Sequence, residues 1–162
     1  MNDIMEPLDL SKAPPRSPYA MAAGLAMLPR TIDKMRAALP GGNTGDYHVD
    51  GMSERMLKII GIDRAALQAQ VARAATEDEV VHWVHAHADP TKIAEATHVM
   101  LNRSVRDIAP ERLPEFAEKY PAYASAPSDK LCDIIAADDA TSFAAGATRA
   151  GQSTTAAPIE RP

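Results

Sequence analysis

The clearest hydrophobic rhythm in the chain runs from Met21 through Leu25, Leu28, Ile32 and Met35 to Leu39, in steps of four and three that draw one apolar stripe along a helix. Ser17-Pro18 reads as its start: serine can cap the free amides of a first turn, and proline at the next position leaves no amide unpaired. Pro29 interrupts the stripe, which predicts either a kink or two helices meeting at Leu28-Pro29, and Pro40-Gly41-Gly42 ends the element. Asn43 to Gly51 reads as loop. A second helix is expected from Ser53 to Gly61, a residue suited to a left-handed cap. Asp63 then caps a third helix to about Ala75 with Leu67, Val71 and Ala74 inward, and Thr76 with Glu79 forms a capping box for a fourth, burying Val80, Trp83 and Val84. Asp89-Pro90 opens a fifth through about Val105 with Ile93, Met100 and Leu101 inward. Pro110, Pro114, Pro121 and Pro127 break the chain into short turns before a last helix from about Ser128 to Asp138, over Leu131, Ile134 and Ile135.

The flanks carry no such period. Residues 1–16 are proline-rich and read as an extended arm, lying on the domain or moving in solvent. Residues 145–162 are small and polar, with too few large apolar groups to offset ordering entropy, and read as a disordered tail. The expected fold is therefore all-α: one compact helical bundle over residues 17–144 between an arm and a tail. Composition agrees, since 31 of the 162 residues are alanine, which favours helix over strand, and only seven are aromatic, so the core is thin.

Charge and cysteine narrow the classes. A net charge of −5 supplies no field to gather phosphates over the whole surface, so nucleic acid is not an expected partner. The apolar stretch from Met21 to Leu28 falls far short of the roughly 20 residues a bilayer demands, so no membrane span is expected. The first residues, acidic and without an apolar secretion core, point to the cytoplasm, as does the single Cys132, which forms no internal disulfide. A homo-oligomer is permitted by these numbers.

Two constellations could carry chemistry. Arg30, Asp33 and Lys34 share a helix face opposite the apolar stripe, and the plain account of them is a solvated face with spaced ion pairs. The sharper account folds the loop Gly45-Asp46-Tyr47-His48-Val49-Asp50 over that face. Tyr47 and His48 then join the three charges, giving a proton carrier near neutral pH, a hydroxyl and cations to hold a substrate anion. The second constellation is His82, His85 and His87 around Trp83, with His98 on the next helix. It reads as surface histidines, as a pocket for an organic ligand, or as a metal site; neither H-E-x-x-H nor paired cysteines are present. Cys132 reads as a small buried hydrophobe, Asp138-Asp139 as a solvated helix end, and the glycines at 41, 42 and 45 match no phosphate-cradling loop.

Asp9-Leu10, Pro14-Pro15-Arg16-Ser17-Pro18, Leu28-Pro29-Arg30, Asp33-Lys34-x-Arg36-Ala37, Gly45-Asp46-Tyr47-His48 and Gly61-Ile62-Asp63, in this order and spacing, resemble domain-of-unknown-function family 5069. Glu79-Val80-Val81-x-Trp83-Val84 and Asp133-Ile134-Ile135-x-x-Asp138-Asp139 resemble its C-terminal landmarks. The resemblance implies a small soluble bacterial helical domain. It marks Arg16, Arg30, Asp33, Lys34, Arg36, Gly45 and Tyr47 as motif positions without assigning them roles.

Taken together, the residues lead to the expectation of a cofactor-independent, metal-free acid–base enzyme of the lyase or isomerase type. Its substrate would be a small organic molecule, with aromatic compounds among the candidates. His48 is the expected base, Tyr47 a proton donor or hydrogen-bond anchor, Asp33 an orienting carboxylate and His85 a second base. Substrate binding falls to Arg30, Lys34, Arg16 and Trp83. The alternatives are an interaction module docking its Arg30/Asp33/Lys34/Arg36 face flat on a partner chain, and a metal-binding regulator using His82, His85 and His98.

Overall fold

The helix predicted from Ser17 begins instead at Leu28. In the structure, a computed structural model that describes residues 4–49 and 51–143, Met21–Ala22 (β1) and Leu25–Ala26 (β2) form a minimal antiparallel hairpin, Met21 facing Ala26 and Ala22 facing Leu25. The linking Ala23 and Gly24 both have positive φ, 53° and 76°, the handedness that joins twisted strands through a two-residue turn. Thr97 pins the turn, donating its hydroxyl to the Gly24 carbonyl at 2.7 Å and accepting from the Ala26 amide at 3.0 Å. Apolar spacing could not distinguish this hairpin from a helical turn, and Ala23-Gly24 is a weak turn signal. The fold is thus mostly helical rather than all-α. Met21, at the head of the expected stripe, is exposed, whereas Leu25, Leu28, Ile32, Met35 and Leu39 are buried.

Helix α1 (Leu28–Ala37) carries Pro29 in its first turn, where the missing amide costs no helical hydrogen bond, so no kink is needed. Helix α2 (Met52–Ile60) stops at Gly61 with φ 77°, as expected. Asp63 caps α3 (Arg64–Arg73) by accepting from the Ala66 amide, and Thr76 caps α4 (Glu77–His87) by accepting from the Glu79 amide. Glu79 reaches back one residue further than a capping box requires, to the Ala75 amide at 2.9 Å. Helix α5 (Ile93–Asn102) is shorter than predicted, because Ser104 caps a separate 3-10 turn over Val105–Asp107. The stretch expected to hold only turns contains α6 (Leu113–Lys119), with Pro114 again in a first turn, between 3-10 segments Pro110–Arg112 and Pro121–Ser125. Helix α7 (Leu131–Ser142) runs past Asp138, so Asp139 lies within it.

The core lies between α1, α2, α3, α4 and α5, with Ile32, Met35, Met56, Leu57, Ile60, Leu67, Val71 and Met100 withdrawn from solvent. α2 packs on α5, α3 on both α1 and α4, and α5 on β2 and α7. The N-terminal arm lies on the domain: the Met5 amide donates to the Ala74 carbonyl, and Leu8 and Leu10 exchange backbone hydrogen bonds with Asn43. By contrast, no residue from Leu101 to Pro121 is buried, although Phe116 meets Tyr123 edge to face and Tyr120 at a tilt. The tail expected to be disordered lies outside the described residues, as does Asp50.

Two outcomes follow from this distribution. In hydrogen exchange, amides of residues 105–119 open far more readily than those of α1 and α5, since few apolar contacts oppose their local unfolding. Gly45→Ala lowers stability by about 1–3 kcal/mol in urea denaturation, because a non-glycine residue is strained at positive φ and crowds nearby backbone. Here φ is 57°, and the added Cβ would sit 2.8 Å from the Leu10 carbonyl oxygen.

Candidate functional site

Almost every residue of α1 is buried, including Arg30 at 3% exposure, Asp33 at 4% and Lys34 at 9%, so the expected solvated face does not exist. Burying a charge is costly unless it is paired and hydrogen-bonded, and Asp33 and Arg30 each draw in a distant segment. Asp33 is met by Arg16 from the arm: the Arg16 backbone amide donates to Oδ2 at 2.8 Å, while Nε and Nη2 grip the carboxylate at 2.9–3.2 Å. The other edge of the same guanidinium holds Glu77, in the first turn of α4, at 2.7 and 2.9 Å. The hydrogen bonds of Asp33 first, then of Glu77, raise the Arg16 pKa further above its already high value.

Arg30 is met by Asp139. Nη1 donates to Oδ2 at 2.6 Å and Nη2 to Oδ1 at 3.2 Å, and Nη1 also reaches the Arg16 carbonyl at 3.1 Å. The Tyr47 hydroxyl donates to Asp139 Oδ1 at 2.8 Å, and the Tyr47 ring lies 5.4 Å from the guanidinium carbon of Arg30. Asp139 stands near the C-terminal end of α7, where the helix dipole disfavours an anion, and Arg30 supplies the compensating cation. The expectation of a solvated Asp138-Asp139 pair is therefore overturned: both are buried, and Asp138 accepts from the Ala122 amide at 3.5 Å.

The loop reaches this position because its backbone is fixed locally. The Asn43 side chain accepts from the Gly45 amide at 2.9 Å, and the Tyr47 amide donates to the Thr44 carbonyl at 2.9 Å. Tyr47 then packs in a small satellite core with Leu10 and Ala37, bordered by Leu8 and Phe143. Arm, loop and the end of α7 converge there. Beside this hub opens a cavity of about 240 Å³ bounded by Arg30, Lys34, Tyr47 and His48 on one side and by Glu118, Lys119, Tyr120 and Pro121 on the other, with Asp46 and Ser142 completing it.

The structure thus gathers Arg30, Lys34, Tyr47 and His48 at one cavity. Asp33 and Arg16 are turned into a neighbouring clasp, and neither lines that cavity. Trp83 and His85 lie on α4, away from it. His85 is exposed, and Trp83 stacks on His87 at 4.2 Å beside an open surface groove with Gln70, Asp78, Glu79 and His82. His98 is also exposed, and among the described residues no three His, Cys, Asp or Glu side chains group as a metal site would require. Sequence reasoning missed Asp139, Lys119 and Tyr120. An acid at a helix end that disfavours it was the available signal for Asp139; α6 offered none.

Among the curated proteins, none matches this chain. A family model does: the Domain of unknown function (DUF5069) matches residues 12–141. The chain belongs to this family. The matched stretch spans the arm from Lys12, both charged clasps and every lining residue of the cavity except Ser142. Among the described residues no helix is long and apolar enough to cross a membrane.

Cys132 is fully buried, and its thiol lies 3.3 Å from the Met100 carbonyl, as a structural cysteine would. Burial first, and then Asp133, pushes its pKa from the ordinary 9.0 up to about 11. The folded state therefore holds the proton that the unfolded chain releases first. The stability this confers is intact below pH 9.0 and drains away as pH climbs towards about 11. Urea midpoints measured across that window fall less steeply for Cys132→Ala than for the parent. Separately, Asp139→Ala costs about 3–5 kcal/mol in the same assay because it strands a buried guanidinium, whereas Arg30→Met/Asp139→Leu recovers most of the loss.

Proposed function

We propose that this protein is a small-molecule enzyme of acid–base type, a lyase or isomerase working at the Lys34–Tyr47–His48 cavity. The observation that carries the reading is the buried Arg30–Asp139–Tyr47 hub directly beside a partly open cavity that a histidine borders. Preorganised polar groups in a partly water-excluded space are the arrangement in which proton transfer gains most. Tyr47 directs its hydroxyl proton to Asp139, so it serves as an anchor that fixes the wall. Arg30 likewise spends its donors on Asp139 and the Arg16 carbonyl and acts as a positioning residue. His48 is exposed at the cavity and has access to both solvent and ligand, as a base that must shed its proton needs.

The flat docking face that an interaction module would use is supported less well, because Arg30, Asp33 and Lys34 are withdrawn from the surface. A cytoplasmic setting fits the reduced, buried Cys132. The test is a screen of small organic compounds by NMR time course with the purified chain. On a compound that is consumed, His48→Ala lowers kcat by about 10²–10⁴-fold without loss of folded protein, while His85→Ala stays within about threefold. Equal turnover by parent and His48→Ala removes the assignment.

A further inference from the structure

Arg16 joins two charge clusters that lie side by side on α1. Arg30 and Asp33, three residues apart, share one face of that helix, and the arm crosses the face at Arg16. The Arg16 backbone amide donates to Asp33 Oδ2 at 2.8 Å, and its backbone carbonyl accepts from Arg30 Nη1 at 3.1 Å. Its guanidinium grips Asp33 again at 2.9–3.2 Å and Glu77 at 2.7 and 2.9 Å. One run of hydrogen bonds therefore passes from Glu77 on α4 through Arg16 to Arg30, on to Asp139, and ends at the Tyr47 hydroxyl on the cavity wall. The run leads from solvent to core, since the Arg16 side chain is 42% exposed and that of Arg30 is buried.

The carbonyl is the decisive contact. Arg30 Nη1 carries two N–H groups and has two acceptors, Asp139 Oδ2 and the Arg16 carbonyl. Moving the carbonyl away leaves a buried N–H unanswered, and the guanidinium recovers an acceptor only by turning or by admitting water. Either change disturbs the carboxylate on which Tyr47 rests. The carbonyl is kept in place because Asp33 and Glu77 hold two edges of the same residue's side chain, and because Pro14, Pro15 and Pro18 fix the backbone on both sides, Pro15 and Pro18 being buried. The rest of the arm is held by other means. Met5, Leu8 and Leu10 make backbone hydrogen bonds, and the Glu6 carbonyl accepts from Arg36 at 2.6 and 2.9 Å. Loss of the Arg16 grip thus frees this one crossing and leaves the arm docked.

We infer that Arg16 is a positioning residue for the cavity: gripped by Asp33 and Glu77, it holds the Arg30 guanidinium in the orientation that presents Asp139 to Tyr47. Arg16, Asp33 and Glu77 thereby shape a cavity that none of them lines. The bearing of this coupling on turnover rests on the cavity being the working site proposed above; the coupling itself does not.

The test compares Arg16→Met and Glu77→Gln with Arg36→Met, which loosens the arm at Glu6 instead, in the isotopically labelled full chain well below each variant's thermal midpoint. NMR follows the exchange of the Arg30 guanidinium protons with water, together with the Tyr47 ring signals. Arg16→Met is expected to speed the Arg30 exchange by at least about tenfold and to shift the Tyr47 ring, and Glu77→Gln to speed the exchange by about threefold. Arg36→Met leaves the Arg30 exchange within about twofold of the parent. An Arg16 that only adds stability would lower the midpoint yet leave Arg30 exchange and the Tyr47 ring of the folded protein unchanged, and that result overturns the inference. An Arg36→Met response as large as that of Arg16→Met also overturns it, because arm docking as a whole would then set the wall. Glu77 is partly exposed, so Glu77→Gln keeps its fold even if Arg16→Met does not, and parent-like Arg30 exchange in that variant is equally fatal. These signals are read without substrate, so the coupling can fail while His48→Ala still abolishes turnover of a consumed compound, and can hold where no compound is consumed.

Discussion

Helix α1 has almost no side facing water, yet it carries Arg30, Asp33 and Lys34 in its middle turns. A buried charge must find a hydrogen-bonded counter-charge or be lost to mutation, and the chain meets that requirement with residues far away in sequence. Arg16 comes from the arm to Asp33, and Asp139 comes from the last helix to Arg30. These pairings fix where the arm, α4 and α7 must lie, more sharply than non-directional apolar contacts would. The alanine-rich, aromatic-poor composition makes such directional restraint useful, because a thin core leaves several packings of similar energy.

The same restraint shapes the cavity. One carboxylate accepts from a guanidinium and a phenol at once, so the Tyr47 ring is held from below by a hydrogen bond and from the side by Leu10, Ala37 and Phe143. The wall opposite is built on different terms: α6 and its flanking 3-10 turns touch the body mainly through the segment Pro121–Ser125 and α7. A rigid wall facing a loosely held one is a common division of labour where a ligand must enter and then be enclosed.

Much of this was legible in the letters. Asp63, Thr76 and Gly61 announced helix ends by capping chemistry, and the structure has them there. Tyr47 and His48 beside Arg30 and Lys34 followed from placing a glycine-bounded loop over a charged helix face. What escaped was long-range or irregular. The Ala23-Gly24 hairpin carries alanine at a left-handed position, against its intrinsic preference, because Thr97 and tertiary packing hold it there. Asp139 looked like a misplaced surface acid because its partner lies in α1, and helix periodicity has no access to that distance. Pro114 read as a breaker, although the first turn of a helix tolerates proline as readily at α6 as at α1.

The satellite core around Tyr47 joins Leu10, near one end of the described chain, to Phe143 at the other. Asp139, on which the tyrosine hydroxyl rests, follows α1 to α5 in the order of synthesis. A nascent chain can therefore assemble α1 to α5 with the cavity still missing its floor, and Arg30 meanwhile must stay hydrated. The Arg30–Asp139–Tyr47 hub therefore closes only after the helical body has been made, and a protease that trims the final turn of α7 would open it while sparing most of that body.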